Sequence, residues 1–343
     1  MSTIASSPRR HRPCQRLRVG PAACVAAALL CGATAADAAT FNARSYTKTF
    51  PPTADNAQSF NVSGAVPQTV SSQSQGSLAM GGTQIDVVAN ARAAADLGGL
   101  HLNIDAIGST LPSPTFDYAE FSAQARASGS FGDKFFVNAP SLALGAQIYA
   151  TAGFAVYGTL GGDIATTGTV LDPSFQPSGG SNASWTASMN INGVRVFSGE
   201  RSCGMSLGAT GASAYNCLGD NFGVFWMPVV LVNGYNSSVS FDGEVRLAIF
   251  GTQGWGVTVL AQSYADLGHT IGWAGLRDVH DANGQAVTMT AISASTGLNL
   301  LDPQVSPVPE PAAAWTWAAG LGVMAALSRR RGRPARQTDK LHG

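Results

Sequence analysis

The chain has 343 residues, room for one large domain or two small ones. Its formal charge of zero hides a segregation: Arg9, Arg10, Arg12, Arg16 and Arg18 open the chain, six basic residues from Arg329 to Lys340 close it, and residues 40–308 carry 17 acidic against 9 basic side chains, a net of about −8. An acidic body argues against nucleic acid as a partner, which needs clustered Lys and Arg, and 40 glycines among few Lys and Glu argue against a helical bundle.

The arginine-rich start leads into the apolar run "PAACVAAALLCGATA", and Ala36-Asp37-Ala38 fits the small-x-small pattern that precedes a cut before Ala39. Residues 1–38 therefore read as a helical signal peptide, passed through the Sec translocon and removed by signal peptidase. The run is shorter than the ~20 residues a permanent span needs. Cys31 is preceded by Leu30 where a lipobox needs a small residue, and Arg9-Arg10 is followed by "HRPC" instead of the apolar residues of a twin-arginine signal.

From Gln84 onward the pattern has period 2. Leu100, Leu102, Ile104 and Ala106 alternate with His101, Asn103 and Asp105. Phe121, Ala123, Ala125, Ala127, Gly129 and Phe131 alternate with Glu120, Ser122, Gln124, Arg126, Ser128 and Ser130. Trp185, Ala187, Met189 and Ile191 define a third such face, and Val239, Phe241, Val245, Leu247 and Ile249 a fourth. Alternation of this kind marks half-buried antiparallel strands, and the punctuation between them ("LPSPT", "LDPSFQPSGG", "VNGYNSS", "DANGQ") is Gly, Pro and Asn. Ten or more strands over residues 39–305 predict an all-β ectodomain, an antiparallel sandwich of jelly-roll type. Cys203 and Cys217, with 13 residues between them, are the two cysteines left once the signal peptide is gone. In an oxidising compartment they are expected to form a disulfide.

Residues 312–327 are 16 residues without a charge, about 24 Å as a helix against a hydrocarbon core of ~30 Å. Trp315 and Trp317 suit the interface at one end, and Arg329, Arg330 and Arg331 hold the other end in the cytoplasm, leaving the body outside. Pro309-Glu310-Pro311, the short small-residue helix and the arginine cluster, in that order, resemble the PEP-CTERM sorting signal over residues 306–331. The resemblance implies an exosortase, a membrane transpeptidase-like cysteine protease of Gram-negative bacteria that also make exopolysaccharide. It implies that Pro309, Glu310 and Pro311 are its recognition element and Arg329, Arg330 and Arg331 the stop-transfer. The inner membrane is then a transient station, and residues 332–343 form a basic cytoplasmic tail that the family's members usually lack. "ARAAADLGGLHLNIDA" and "SYADLGHTIGWAGLRDVHDANGQ" also resemble, more loosely, β-rich ectodomains found ahead of such tails; the ADLG they share (residues 95–98 and 265–268) reads as a worn repeat.

Three candidate chemistries compete with plain structure. Gly204-Met205-Ser206-Leu207-Gly208 matches G-x-S-x-G, with His269 and His280 downstream, but no helical pattern follows the serine. Asp278, His280 and Asp281 suggest a calcium or metal loop, although Val279 and Thr290 break the EF-hand pattern and Asn283-Gly284 reads as a hairpin turn. Trp226, Trp255, Trp273 and Tyr264 are either a sugar-stacking platform or core. The favoured reading is an exported, non-catalytic surface or matrix protein associated with exopolysaccharide and biofilm, with no catalytic residue, metal ligand or cofactor. The alternatives are a carbohydrate-binding module, calcium-assisted or not, and a secreted serine hydrolase using Ser206.

Overall fold

The computed structural model describes residues 38–304, apart from 52–56, 81–82, 98, 112–118, 172–173, 175, 209–210 and 255. The signal helix with Ala36, the sorting residues Pro309, Glu310, Pro311, Arg329, Arg330 and Arg331, the helix 312–327, the tail and Trp255 lie outside the described residues. The rest is strand and turn: β1 (Thr40–Phe50), β2 (Ala57–Gly64), β3 (Gln68–Met80), β4 (Thr83–Asp96), β5 (Gly99–Leu111), β6 (Glu120–Asn138), β7 (Gln147–Val156), β8 (Thr159–Gly168), β9 (Ser178–Ile191), β10 (Val194–Gly208), β11 (Gly211–Ala212), β12 (Asn216–Gly219), β13 (Gly223–Val232), β14 (Asn236–Thr252), β15 (Val257–His280) and β16 (Thr290–Ser293). Among the described residues no helix is long and apolar enough to cross a membrane.

Two antiparallel sheets pack face to face. Sheet I runs β11–β10–β9–β14–β6–β1–β2, with β12 also on β10 and β16 on β6. Sheet II runs β13–β7–β15–β5–β4–β3, with β8 also on β15. Strands β7 and β8 follow one another along the same edge of β15, whose 24 residues are long enough to pair with both. The predicted sandwich is present. From β5 onward the chain crosses repeatedly between sheets, as a jelly roll requires, but β3–β4–β5 form a meander within sheet II and β9–β10 a hairpin within sheet I. The strand order therefore carries the two-sheet sandwich and not the finer jelly-roll description.

The core follows directly from the period-2 pattern. The four apolar faces read from the sequence all point between the sheets, so Leu100, Phe121, Trp185 and Phe241 are buried. Burying an aliphatic or aromatic side chain of this size contributes about 1.5–3 kcal/mol. Alanines dominate the inner face of β4 and run from Ala123 to Ala127 on that of β6, and the sheets interlock through pits where a side chain is missing. Gly129 and Gly243 face each other across β6 and β14. A Cβ on Gly243 would come within 2.5 Å of Ile271 and 3.1 Å of Leu100, side chains of the opposite sheet. The glycine is there so that those residues can descend into sheet I.

The last described segment is strapped onto this core. Met289, Ala291 and Leu300 are buried, Trp273 Nε1 donates to the Leu300 carbonyl at 2.8 Å, and the Gln304 amide donates to the Trp273 carbonyl at 3.0 Å. Asp133, buried on β6, accepts from Ser295 Oγ at 2.6 Å and Thr296 Oγ1 at 2.7 Å. A buried carboxylate is tolerable only when its oxygens are satisfied in this way.

Asp96 at the end of β4 and Asp266 in β15, the aspartates of the two ADLG stretches, lie on either side of β5. Strands β5 and β15 are neighbours, with Asp266 opposite Asn103 and Leu267 opposite Leu102. Each aspartate accepts a downstream glycine amide, Asp96 from Gly99 at 3.0 Å and Asp266 from Gly268 at 2.8 Å. His101 ties them together: Nε2 lies 3.0 Å from Asp96 Oδ2 and Nδ1 2.7 Å from the Gly268 carbonyl. The Asp96 hydrogen bond raises the His101 pKa, burial and Arg92 opposing it. A raised folded pKa stabilises the protonated form, so this contribution is complete below the unfolded value of about 6.5 and is lost as pH rises through the folded one. Denaturation midpoints measured upward from pH 6 should fall in the wild type and stay flatter in His101→Gln. Parallel profiles for the two proteins would refute the clamp.

Candidate functional site

The sequence candidates are scattered. Ser206 lies inside strand β10, its amide accepted by Ser213 Oγ at 2.8 Å and its carbonyl accepting the Ser213 amide at 2.7 Å. The residues from Gly204 to Gly208 all belong to that strand, so the strand-to-helix elbow does not form there. His280 is on β15 in the other sheet, its Nδ1 beside the carbonyls of Tyr149 and Asp278. Asn283-Gly284 does form a turn. Asp281 accepts the amides of Asn283 (2.8 Å) and Gln285 (2.9 Å), and these bonds, Gln285's first, hold its carboxyl below the usual range. No group of three or more His, Cys, Asp or Glu side chains able to hold a metal occurs among the described residues.

Among the described residues the aromatic set is divided between core and surface. Trp273 is a core residue. Trp226 lies against Gly153, where a Cβ would come within 2.6 Å of its ring, while the Arg277 guanidinium sits 3.7 Å from the ring centroid. One face of the ring is taken by that cation–π contact. Tyr264 covers Gly161 on the outer face of sheet II and is about half exposed.

The predicted disulfide is present: Cys203 on β10 and Cys217 on β12 stand opposite each other and are bonded, with Cα atoms 4.0 Å apart.

What sequence reasoning missed is the outer face of sheet I. Antiparallel register stacks polar side chains into rungs that cross β2, β1, β6, β14, β9 and β10. One rung is Asn61–Arg44–Ser128–Glu244–Thr186–Glu200. Its neighbours are Ser59–Tyr46–Arg126–Arg246–Ser184–Ser202 and Ser63–Asn42–Ser130–Asp242–Ser188–Ser198. Six strands at ~4.8 Å spacing make each rung about 24 Å wide. At the far end Phe50 and Phe250, both exposed, flank Ser122 in a rung that also holds Ser206.

Charges converge at the centre. Glu244, largely covered, takes ion pairs from both Arg126 and Arg246. Arg44 Nε donates to Asn61 Oδ1 at 3.0 Å one strand further out. Two shallow grooves meet at Arg44 and Ser128. One, of about 740 Å³, is lined by Tyr46, Arg126, Asn182 and Arg246. The other, of about 440 Å³, is lined by Asn42, Thr186, Arg195 and Asp242. Open grooves lined by hydroxyls, amides and guanidinium groups suit a polar, extended ligand more than a small apolar one.

Fold and face together define an antiparallel β-sandwich with one broad polar surface. At its C-terminus, residues 307–331 match the PEP-CTERM protein-sorting motif, so the chain carries the signal of an exported protein sorted by exosortase to the surface or the extracellular space. No curated protein and no solved structure matches the chain.

Proposed function

We propose that this is a non-catalytic surface or matrix protein of a Gram-negative bacterium that adheres to exopolysaccharide, as in a biofilm, through the outer face of sheet I. The observation that carries the reading is the register of that face: hydroxyl, amide and guanidinium groups repeat rung after rung, with exposed Phe50 and Phe250 at one end. Sugars are recognised by such polar groups together with aromatic faces. The delivery route is the one the termini imply. The Sec translocon passes the chain, signal peptidase cuts before Ala39, residues 312–327 pause in the inner membrane and exosortase reads Pro309, Glu310 and Pro311. The first strand begins at Thr40, one residue beyond that cut, with Ala39 already buried.

Expression in an exosortase-positive host and in one lacking the enzyme, followed by mass spectrometry, tests delivery. The mature species is expected to start at Ala39 in both hosts and to lose Arg329, Arg330 and Arg331 only in the first. Arginines retained in both would sink the sorting route. Retention of the processed protein on the host's own exopolysaccharide, measured against a polysaccharide-deficient strain, tests adhesion.

A further inference from the structure

We infer that the ligand of this face is a carboxylate-bearing polysaccharide, gripped by Arg44, Arg126 and Arg246. The inference rests on the polysaccharide reading above and narrows it. The body is acidic, yet Arg44, Lys48, Arg126, Lys134, Arg195 and Arg246, six of its nine basic residues, project from this one surface. Four acidic side chains share it: Glu120, Glu200, Asp242 and Glu244. The outer face of sheet II has the opposite balance, with Asp86, Asp96, Asp105, Asp163 and Asp266 on its strands against Arg92 and Arg277. A polyanion is therefore drawn to one side of the sandwich and repelled from the other.

The local geometry says where it is held. Arg126 and Arg246 stand directly opposite each other across β6 and β14, a like-charge pairing that costs stability in a sheet unless something bridges it. Glu244 bridges it, but one carboxylate neutralises only one of two guanidinium groups, and Arg44 adds a third on the next strand. Half or more of the Arg126 and Arg246 side-chain surface is open to solvent, so donors remain for an incoming ligand. The guanidinium fork matches a carboxylate bidentately, which a lysine ammonium does not. The three arginines occupy successive strands and so span about 10 Å. That arrangement suits a linear polymer with repeated carboxylates better than a single small anion.

The test is affinity electrophoresis of the processed protein through gels containing alginate, dextran or polyphosphate, at low and at physiological salt. Alginate is expected to retard the wild type, and rising salt to weaken the retardation. The double variant Arg126→Gln/Arg246→Gln should bind alginate about tenfold more weakly, and Arg126→Lys/Arg246→Lys should fall between. Arg44→Gln, on a separate strand, gives an independent reading if the double variant fails to fold by circular dichroism. Equal retardation by dextran, or arginine variants that bind as wild type, would overturn the carboxylate inference while leaving the polysaccharide reading standing. Polyphosphate matching alginate would also overturn it, since charge alone would then suffice. No retardation by either sugar polymer or by the host polysaccharide would overturn both. Self-association abolished by the same variants, without alginate binding, would assign the face to a second copy of the chain.

Discussion

Replacing Trp273 by alanine is expected to lower stability by about 3–5 kcal/mol, among the largest effects available to a single substitution in this fold. Its indole is 1% exposed, and the surrounding sheets cannot collapse fully into the space it would leave. The ring also holds the C-terminal strap, since its Nε1 donates to the Leu300 carbonyl; the Trp273 backbone carbonyl, which accepts the Gln304 backbone amide, does not depend on the side chain. Trp273→Phe separates the two roles. It keeps most of the buried surface but leaves the Leu300 carbonyl unpaired, for a loss of about 1–3 kcal/mol. Urea titrations should rank wild type above Trp273→Phe above Trp273→Ala. Hydrogen exchange at residues 300–304 should quicken in both variants. An alanine variant with a wild-type midpoint would show that the indole is not part of the core.

Breaking the Cys203–Cys217 bond should cost about 3 kcal/mol, the chain-entropy value for a closed loop of this size. Cys203 is buried in β10, whereas β12 is exposed along all four of its residues and has little apolar surface to keep it in place. The bond therefore supplies constraint that packing does not. Cys203→Ser/Cys217→Ser and the reduced wild type should show the same lowered midpoint, and the untreated protein should have no free thiol in the folded body. Midpoints that ignore reductant would show that the bond contributes nothing to the folded state.

Where the inner face of a strand is apolar, the sequence reveals it. The faces built on Leu100, Phe121, Trp185 and Phe241 are legible because each inward residue contrasts with polar neighbours. Strands β1 and β3 lack that contrast. Their inward positions include Ser45, Thr47, Thr49, Ser72 and Ser74, all buried, with hydroxyls that have no partner among the described residues. A Ser/Thr-rich strand that is polar on both sides gives no period to read. The candidate site was hidden for another reason. Arg126 and Arg246 become neighbours only through the register of β6 against β14, and register between strands so far apart in sequence is set by the packed core, not by local pattern. Trp273 is the core residue that one of the two sequence readings expected, but its side of the sheet could not be counted out by twos, because β15 shifts register after Leu267, Trp273 and Arg277. The Cys203–Cys217 pair and the sorting motif were legible because both are recognised by residue type and spacing, without the fold.

The strap that ends at Gln304 sets a height. Five residues carry the chain from there to Pro309, a contour of at most about 18 Å even when fully extended. Under the proposed route, in which residues 312–327 pause in the inner membrane, that length keeps the sandwich close to the bilayer until processing. A cut at Pro309–Pro311 would release a body with almost no trailing chain, so anything that later fixes it in place has to act on the folded surface or on the few residues beyond Gln304.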